Sequence, residues 1–307
     1  METLYITHPA CRLHDMGKWH PECPSRLDAI NDQLVANGLM PFLRETEAVR
    51  ASPEDILRVH TPEHLQYLLD HAPESGHFSV DPDTIMGPHT LEAMWHAAGS
   101  GIAAVDAVMQ GHTHTAFCAV RPPGHHATRN KVMGFCFVNN VAVAAAYALE
   151  HYGLERVAII DFDVHHGNGT EDIFAGNGRV LMCSFFQTGI FPGSEHEHPA
   201  ENMMNIPVEP YTKGDELRML VADLWVPRLL AFRPELVFVS AGFDGHREDD
   251  MGQLGLVEAD YGWITDQIMG VARETASGRV ISFLEGGYSL SALGRSVVAH
   301  VRSLAAL

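Results

Sequence analysis

A run of four apolar residues, 157–160, leads directly into a cluster of carboxylates and imidazoles. The run predicts a buried β-strand, and the alternation of side chains along a strand puts Asp161, Asp163 and His165 on one face. Carboxylates that are buried beside an imidazole, away from water, need a compensating positive charge. This requirement favours a bound cation over an acidic loop exposed to solvent. The glycines at 167 and 169 then predict a tight turn that ends the strand.

Apolar runs alternate with amphipathic stretches along the chain, which is typical of a parallel β-sheet covered by helices on both sides. The predicted strands are residues 4–7, 115–120, 156–162, 179–185, 236–241 and 280–284. The predicted helices are residues 25–37, 62–71, 91–110, 139–152, 215–232, 258–275 and 290–304. Pro227 is expected to kink or interrupt its helix. No repeat or linker divides the chain, so we expect one α/β domain over residues 1–307.

Composition and charge exclude several classes of protein. The formal net charge of −19 at pH 7 disfavours binding to nucleic acid and weakly favours a cationic substrate. No apolar stretch approaches the roughly 18 residues that span a bilayer, and no long apolar segment resembles a secretory signal near the N-terminus. We therefore expect a cytoplasmic protein without a membrane partner. His196 and His198, in a polar loop, are expected to be surface residues rather than a metal site.

Functional residues of parallel α/β sheets collect in loops beyond the C-terminal ends of the strands. Polar segments that contain glycine follow the predicted strands that end near residues 120, 162, 241 and 284. The first of these loops carries His125 and His126 behind two prolines that stiffen it. Paired imidazoles are often structural, but on a rigid loop at this edge they favour acid–base catalysis.

The two remaining loops each add one candidate residue. Asp244 follows an apolar run, where it is either a helix N-cap or a third ligand to the cation of Asp163 and His165. Three protein ligands and an open position are typical of a catalytic zinc site. Tyr288 follows two glycines, either as a surface residue or as a phenol that reaches into the cleft.

These segments together resemble the zinc-dependent histone deacetylase family, of the class II, bacterial type, within the arginase/deacetylase superfamily. The resemblance rests on HPECPSR at 20–26, RPPGHHA at 121–127, GFCFVNN at 134–140, DFDVHHGNG at 161–169, SAGFD at 240–244 and LEGGY at 284–288. Because the motifs span nearly the whole chain in order, the resemblance implies an arginase/deacetylase-like fold and hydrolysis of N-acyl amines.

The resemblance implies a role for each residue of the reaction centre. The implied ligands of one zinc ion are Asp163, His165 and Asp244. His126 resembles the general base that later acts as an acid, and His125 resembles its electrostatic partner, hydrogen-bonded to Asp161. Asn168 stands behind the catalytic histidine, where other branches have aspartate. Tyr288 resembles the phenol that binds the developing oxyanion.

The resemblance also implies how a substrate would be held. Phe135, next to Gly134, and Phe191 resemble the aromatic walls of a channel for an acyl-lysine stem. Arg26 resembles the arginine of the cavity that takes the released acid, and Asp83 resembles a rim aspartate that grips the substrate backbone. Residues implied at a structural potassium ion are Asp161, Ser184 and Phe185.

The sequence favours acyl-lysine in peptides as the substrate, with an acetylated polyamine as the alternative. The position that matches the acidic gatekeeper of polyamine-specific relatives is the neutral Met251, and the loop over 73–90 is short. Several acidic residues near Met251 still leave a polycationic substrate as an alternative. A two-manganese ureohydrolase is disfavoured, since it needs additional ligand aspartates. A non-catalytic acyl-lysine binding module is disfavoured too, because every implied ligand, base and oxyanion donor is present.

Overall fold

A computed structural model describes residues 2–193 and 200–307. Eight strands of these residues form one parallel sheet in the order β2-β1-β5-β10-β9-β6-β7-β8. The strands are β1 (Thr3–Thr7), β2 (Leu43–Glu47), β5 (Thr115–Cys118), β6 (Val157–Asp161), β7 (Val180–Gln187), β8 (Met203–Val208), β9 (Leu236–Ala241) and β10 (Val280–Leu284). A separate antiparallel pair is formed by β3 (Phe78–Ser79) and β4 (Ile85–Met86). The parallel sheet predicted from the sequence is confirmed. His196 and His198, predicted to be surface residues, lie outside the described residues.

Helices cover both faces of the sheet. They are α1 (Ala10–Leu13), α2 (Ser25–Ala36), α3 (Pro53–Ile56), α4 (Pro62–His71), α5 (Thr90–Met109), α6 (Asn140–His151), α7 (Asn168–Phe174), α8 (Gly214–Leu220), α9 (Val226–Phe232), α10 (Glu258–Thr275) and α11 (Leu290–Leu304). His300 of α11 contacts Ser282 of β10 through its Nε2 atom at 2.8 Å, whereas Gly101 of α5 lies against Phe283. Neighbouring residues of a strand point to opposite faces, so α5 and α11 lie on opposite sides.

Local sequence explains where several elements begin and break. The α6 helix begins after Asn139, whose side chain accepts a hydrogen bond from the Ala142 N–H at 3.0 Å. The helix predicted over 215–232 is interrupted by a π-helical segment, Val221–Trp225, immediately before α9. Pro227 lacks the N–H of a regular helical turn, so the interruption expected from this residue is confirmed.

Three sequence predictions need correction. The sequence pattern does not predict the strands β2 and β8, which form the two edges of the sheet. The β6 strand ends at Asp161, so Asp163 and His165 lie in the loop beyond it rather than on a face of the strand. The turn predicted at the glycines 167 and 169 is instead the start of α7, with Gly167 at its N-cap and Gly169 in its first turn.

The order of the strands explains why four distant motifs meet. The central strands β5, β10, β9 and β6 are neighbours in the sheet and run in the same direction. All of their residues are buried, which matches the continuous apolar runs in the sequence. Their four C-terminal loops therefore lie side by side at one edge. Among the described residues, no helix combines the length and the apolar character that crossing a bilayer requires.

Candidate active site

Three buried side chains meet where β6 and β9 end. His165 Nδ1 lies 3.0 Å from Asp163 Oδ1 and 3.2 Å from Asp244 Oδ2. One ligand atom from each of the three residues lies within 4.8 Å of the other two. Asp244 Oδ1 accepts a hydrogen bond from the Val164 N–H at 3.0 Å, and the next helix begins only at Glu258. The N-cap alternative for Asp244 is therefore wrong.

The donor set and the surrounding backbone fit a cation. Asp244 Oδ2 is buried and accepts no hydrogen bond within residues 2–193 and 200–307. A Cβ atom added to Gly242 would lie 2.0 Å from Asp163 Oδ2, and one added to Gly286 would lie 2.0 Å from Asp244 Oδ2, so only glycine leaves room here. Two carboxylates and one imidazole in so little space need a positive charge between them, and they fit one divalent ion.

The two adjacent histidines after β5 each hold a hydrogen bond on Nδ1. His125 Nδ1 lies 2.9 Å from Asp161 Oδ2, and His126 Nδ1 lies 2.8 Å from Asn168 Oδ1. Because the Asn168 oxygen can only accept, His126 Nδ1 carries the hydrogen and Nε2 remains free to take a proton. Burial lowers the pKa of His126 well below its usual value, and the charges of His125 and His165 act in the same direction. These effects favour the neutral imidazole that a general base requires.

A buried glutamate holds the histidine loop against the sheet. Glu285 Oε2, just after β10, accepts hydrogen bonds from the Gly124 N–H at 2.7 Å and the His125 N–H at 3.1 Å. Its other oxygen lies 3.1 Å from the Ser240 hydroxyl, which donates to it. Burial raises the pKa of Glu285 to about 7, against the opposing charge of His125. The carboxyl group thus joins the loop after β10 to the histidine loop after β5 and to strand β9.

The turn that carries Tyr288 is fixed from two sides. Gly286 N–H donates to Asp163 Oδ2 at 2.8 Å, and Arg26 Nε donates to the carbonyl of Gly287 at 2.7 Å. Gly287 has a φ of 118°, a conformation that favours glycine, and the guanidinium of Arg26 lies 4.9 Å from the centre of the Tyr288 ring. Desolvation raises the pKa of the Tyr288 phenol well above its usual value, so the hydroxyl remains a donor.

A narrow cavity of about 60 Å³ opens above these groups. Its lining residues are Asp83, His126, Gly134, Phe135, His165, Phe191, Met251 and Tyr288. The Phe191 ring stands perpendicular to His126 at 5.0 Å, and the Phe135 ring stands perpendicular to Tyr288 at 5.9 Å. Phe135 has a φ of 67°, which is rare for a bulky residue and is concentrated at functional sites. The structure therefore brings all of the predicted channel residues together.

Hydrogen bonds connect the rim of this cavity to its wall. Thr84 Oγ1 accepts from the Phe135 N–H at 3.0 Å and donates to Asp83 Oδ1 at 2.9 Å. His20 Nδ1 accepts from the Glu22 N–H at 3.1 Å, so its Nε2 donates to the carbonyl of Asp83 at 3.0 Å. The His20 ring also stands against Phe135 at 4.6 Å. The sequence assigned no role to Thr84 or His20.

Arg26, Ser184 and Phe185 are among the residues named from the sequence that lie outside the cavity lining. Arg26 is buried behind Tyr288, where Nη1 donates to Glu22 Oε1 at 3.1 Å. Ser184 and Phe185 lie on β7, and Ser184 is paired in register with Asp161 of β6. The Ser184 hydroxyl donates to a neighbouring side chain, Asn205 Oδ1, at 2.8 Å.

The chain matches a family model described as the histone deacetylase domain, over residues 20–304. This chain belongs to the histone deacetylase family. The matched range includes all six motifs on which the sequence resemblance rests. The family predicted from the sequence is therefore confirmed.

Relatives of this deacetylase include plant and bacterial proteins. It is 36% identical to histone deacetylase 14, chloroplastic, of Arabidopsis thaliana, over 93% of this chain and 73% of that protein. It is also 36% identical to a histone deacetylase-like amidohydrolase of Pseudomonas aeruginosa, over 88% of this chain and 73% of that protein. The crystal structure of the HDA15 HD domain matches with a TM-score of 0.92 and 29% identity, over 100% of this chain and 90% of that one. The chain is thus a hydrolytic deacetylase with this family's fold.

Gly134 offers a test of where the channel of this deacetylase lies. A Cβ atom there would lie 2.4 Å from His126 Cδ2 and 2.8 Å from Phe191 Cε1, and its φ of 56° is strained for any other residue. We expect Gly134→Ala to lower kcat/KM by about 10²-fold in a deacetylation assay, because the added methyl group displaces His126 and Phe191, the base and the channel wall that the sequence predicts.

The matched control is Gly111→Ala. Gly111 also has a positive φ, 75°, but a Cβ there would meet no atom within 4 Å. Both variants therefore bear a backbone cost of about 1–2 kcal/mol, which thermal melting measures, whereas only the channel variant loses activity. Wild-type kcat/KM in Gly134→Ala would place the reaction elsewhere.

Proposed function

We propose that this deacetylase is a zinc-dependent hydrolase that removes acetyl or other acyl groups from acyl-lysine side chains in peptides and proteins. One observation carries the proposal: a buried Asp163–His165–Asp244 cluster lies beside a hydrogen-bonded His126 and the Tyr288 phenol at the base of an aromatic channel. A cavity of about 60 Å³ lined by Phe135 and Phe191 suits a slender, unbranched stem such as that of lysine better than a bulky group.

The proposed chemistry assigns a proton or a hydrogen bond to each residue. A zinc ion held by Asp163, His165 and Asp244 would supply Lewis acidity toward the amide carbonyl and the attacking water. His126 Nε2 removes a proton from that water, and Asn168 holds the ring in the tautomer this requires. Tyr288 donates a hydrogen bond to the carbonyl oxygen as negative charge develops on it. His126 then protonates the leaving nitrogen, which releases acetate and a free amine.

The residues around the channel favour acyl-lysine over an acetylated polyamine. Met251 lines the cavity, and its neutral side chain offers no counter-charge to a second ammonium group. Phe135 and Phe191 supply apolar walls for the methylene stem. The polyamine alternative is favoured by Asp83, a carboxylate in the same lining, and by the net charge of −19. Since Asp83 is equally suited to accept a peptide N–H, we retain acyl-lysine as the first choice.

The finer assignments belong to the same proposal. We propose zinc as the catalytic ion, since two carboxylates, one imidazole and an open position are typical of catalytic zinc. A structural potassium ion at Asp161, Ser184 and Phe185 is implied by the family resemblance. We further propose a class II, bacterial-type enzyme that acts in the cytoplasm and whose single deacetylase domain spans residues 1–307.

A substrate panel tests this function directly. The purified protein is assayed on fluorogenic acetyl-lysine peptides beside N-acetylated spermidine, putrescine and cadaverine, with and without a metal chelator. We expect hydrolysis that the chelator abolishes and added zinc restores, with the highest kcat/KM on the peptides. The Gly134→Ala protein, purified in the same way, sets an upper limit of about 1% of wild-type turnover on any contaminating deacetylase. A preference for the polyamines would replace the proposed substrate, and chelator-resistant turnover would contradict the metal.

A further inference from the structure

A buried carboxylate outside the predicted site accepts hydrogen bonds from the turn that carries Tyr288. Asp249, in the loop between β9 and α10, is only 5% exposed. Its Oδ2 atom accepts hydrogen bonds from the Tyr288 N–H at 2.6 Å and the Ser289 N–H at 2.8 Å. Its Oδ1 atom accepts from the Met251 N–H at 3.1 Å. One carboxylate thus joins the backbone beneath the phenol to the backbone beneath a rim residue.

The position of Asp249 follows from the start of α11. Ser289 occupies the N-cap of this helix but makes no capping hydrogen bond with its side chain. A helix N-terminus presents free N–H groups and a partial positive charge, which an anionic group satisfies well. Asp249 supplies that group from a different loop, and hydrogen bonds to a carboxylate are stronger than those to a neutral acceptor.

We propose that Asp249 is a positioning residue that holds Tyr288 in place for catalysis. This proposal rests on the function proposed above. Arg26 holds the turn at Gly287, and Asp163 holds it at Gly286. The backbone N–H of Tyr288 itself is held by Asp249. The phenol hydroxyl lies at the far end of the side chain, so a small rotation of the Tyr288 peptide displaces it widely. Displacement of a reacting group by about 1 Å can cost about 10²-fold in rate.

Asparagine is the informative substitution at this position because it keeps the shape of aspartate. The side chain of Asp249 accepts through both oxygens, whereas asparagine has only one oxygen and turns an NH₂ group toward the other set of N–H donors. Asp249→Asn therefore either turns its NH₂ group toward the Tyr288 and Ser289 N–H groups or keeps an oxygen there without the negative charge, and both orientations weaken these two contacts. Asp249→Glu keeps the charge and displaces it by one methylene.

Asp260 provides a matched control. It is also 5% exposed, and its Oδ2 accepts from the Val257 N–H at 2.9 Å at the start of α10. Its Oδ1 pairs with Arg218 rather than with any residue of the channel. Asp260→Asn thus removes a buried helix-capping carboxylate of the same kind, and any effect common to both variants reports stability alone.

The experiment is a double-mutant cycle on acetyl-lysine peptide hydrolysis. It compares kcat and KM of wild type, Asp249→Asn, Asp260→Asn, Tyr288→Phe and the Asp249→Asn/Tyr288→Phe double variant. We expect Asp249→Asn to lower kcat by about 10- to 100-fold, and the double variant to match Tyr288→Phe within about 2-fold. Once the hydroxyl is gone, its position no longer matters. Amide hydrogen exchange at Tyr288 and Ser289 should be faster in Asp249→Asn and unchanged in Asp260→Asn.

Each outcome has a distinct meaning. A double variant whose loss is the product of the two single losses overturns the positioning role, as does a kcat in Asp249→Asn equal to that of Asp260→Asn. Where Asp249→Asn does not fold, Asp249→Glu takes its place in the same cycle, with the same expected convergence on Tyr288→Phe. An inactive wild type contradicts the proposed function itself, whereas an active wild type with additive losses contradicts only the role of Asp249.

Discussion

Replacing Tyr288 with phenylalanine is expected to lower kcat by about 10²- to 10³-fold while KM changes little. The hydroxyl is proposed to donate to an oxygen whose negative charge appears only in the transition state, so its loss costs about 2.7–4 kcal/mol at that stage alone. Phenylalanine keeps the ring contacts to Phe135 at 5.9 Å and to the Arg26 guanidinium at 4.9 Å. The fold and the binding channel should therefore remain intact.

Steady-state kinetics on an acetyl-lysine peptide measures this effect, and thermal melting checks the fold. Tyr147→Phe is the control, because its hydroxyl donates to Asp106 Oδ1 at 2.9 Å and the residue takes no part in lining the channel. It removes a tyrosine hydroxyl that holds a hydrogen bond, so melting temperature falls slightly and kcat stays at the wild-type value. Near-normal kcat in Tyr288→Phe would remove this phenol from the mechanism.

Central strands were easier to predict from the sequence than edge strands. The β9 and β10 strands are buried at every residue, and their bounds agree with the predicted ranges 236–241 and 280–284. The missed strands β2 and β8 pair with a neighbour on one side only and keep exposed positions. Their sequences mix charged or polar residues with apolar ones, so neither an apolar run nor a clean alternation marks them.

Some residues of the candidate site could likewise be predicted from the sequence, and others could not. Asp163, His165 and Asp244 could be found because each follows an apolar strand, where a carboxylate or an imidazole needs a partner. Glu285 obeys the same rule after β10, and the signal was present in the LEGGY motif although no role was assigned to it. Asp249 had no such signal, since it lies in a charged stretch, 247–250, that reads as a solvated loop. Only its tertiary contacts with Tyr288 reveal its burial.

Removing Asp244 is expected to abolish both metal retention and activity. The three side chains of the cluster have ligand atoms within 4.8 Å of one another, so each is proposed to contribute to holding one ion, and a two-residue site holds a divalent ion poorly. Asp244→Ala should therefore retain well below one zinc ion per chain after dialysis. It should also lose the rise in melting temperature that zinc gives to the wild type, because an ion stabilises only the state that binds it.

Elemental analysis of dialysed protein measures the retained zinc, and thermal melting with and without zinc measures the stabilisation by the ion. Neither measurement depends on catalysis. Asp266→Ala is the control, since it removes an exposed carboxylate of α10 and should leave the metal content and the zinc-dependent melting shift unchanged. The two readouts must agree, because both depend on the same binding equilibrium. Full zinc content in Asp244→Ala, or a melting shift as large as that of Asp266→Ala, would show that the ion is held by a different set of residues.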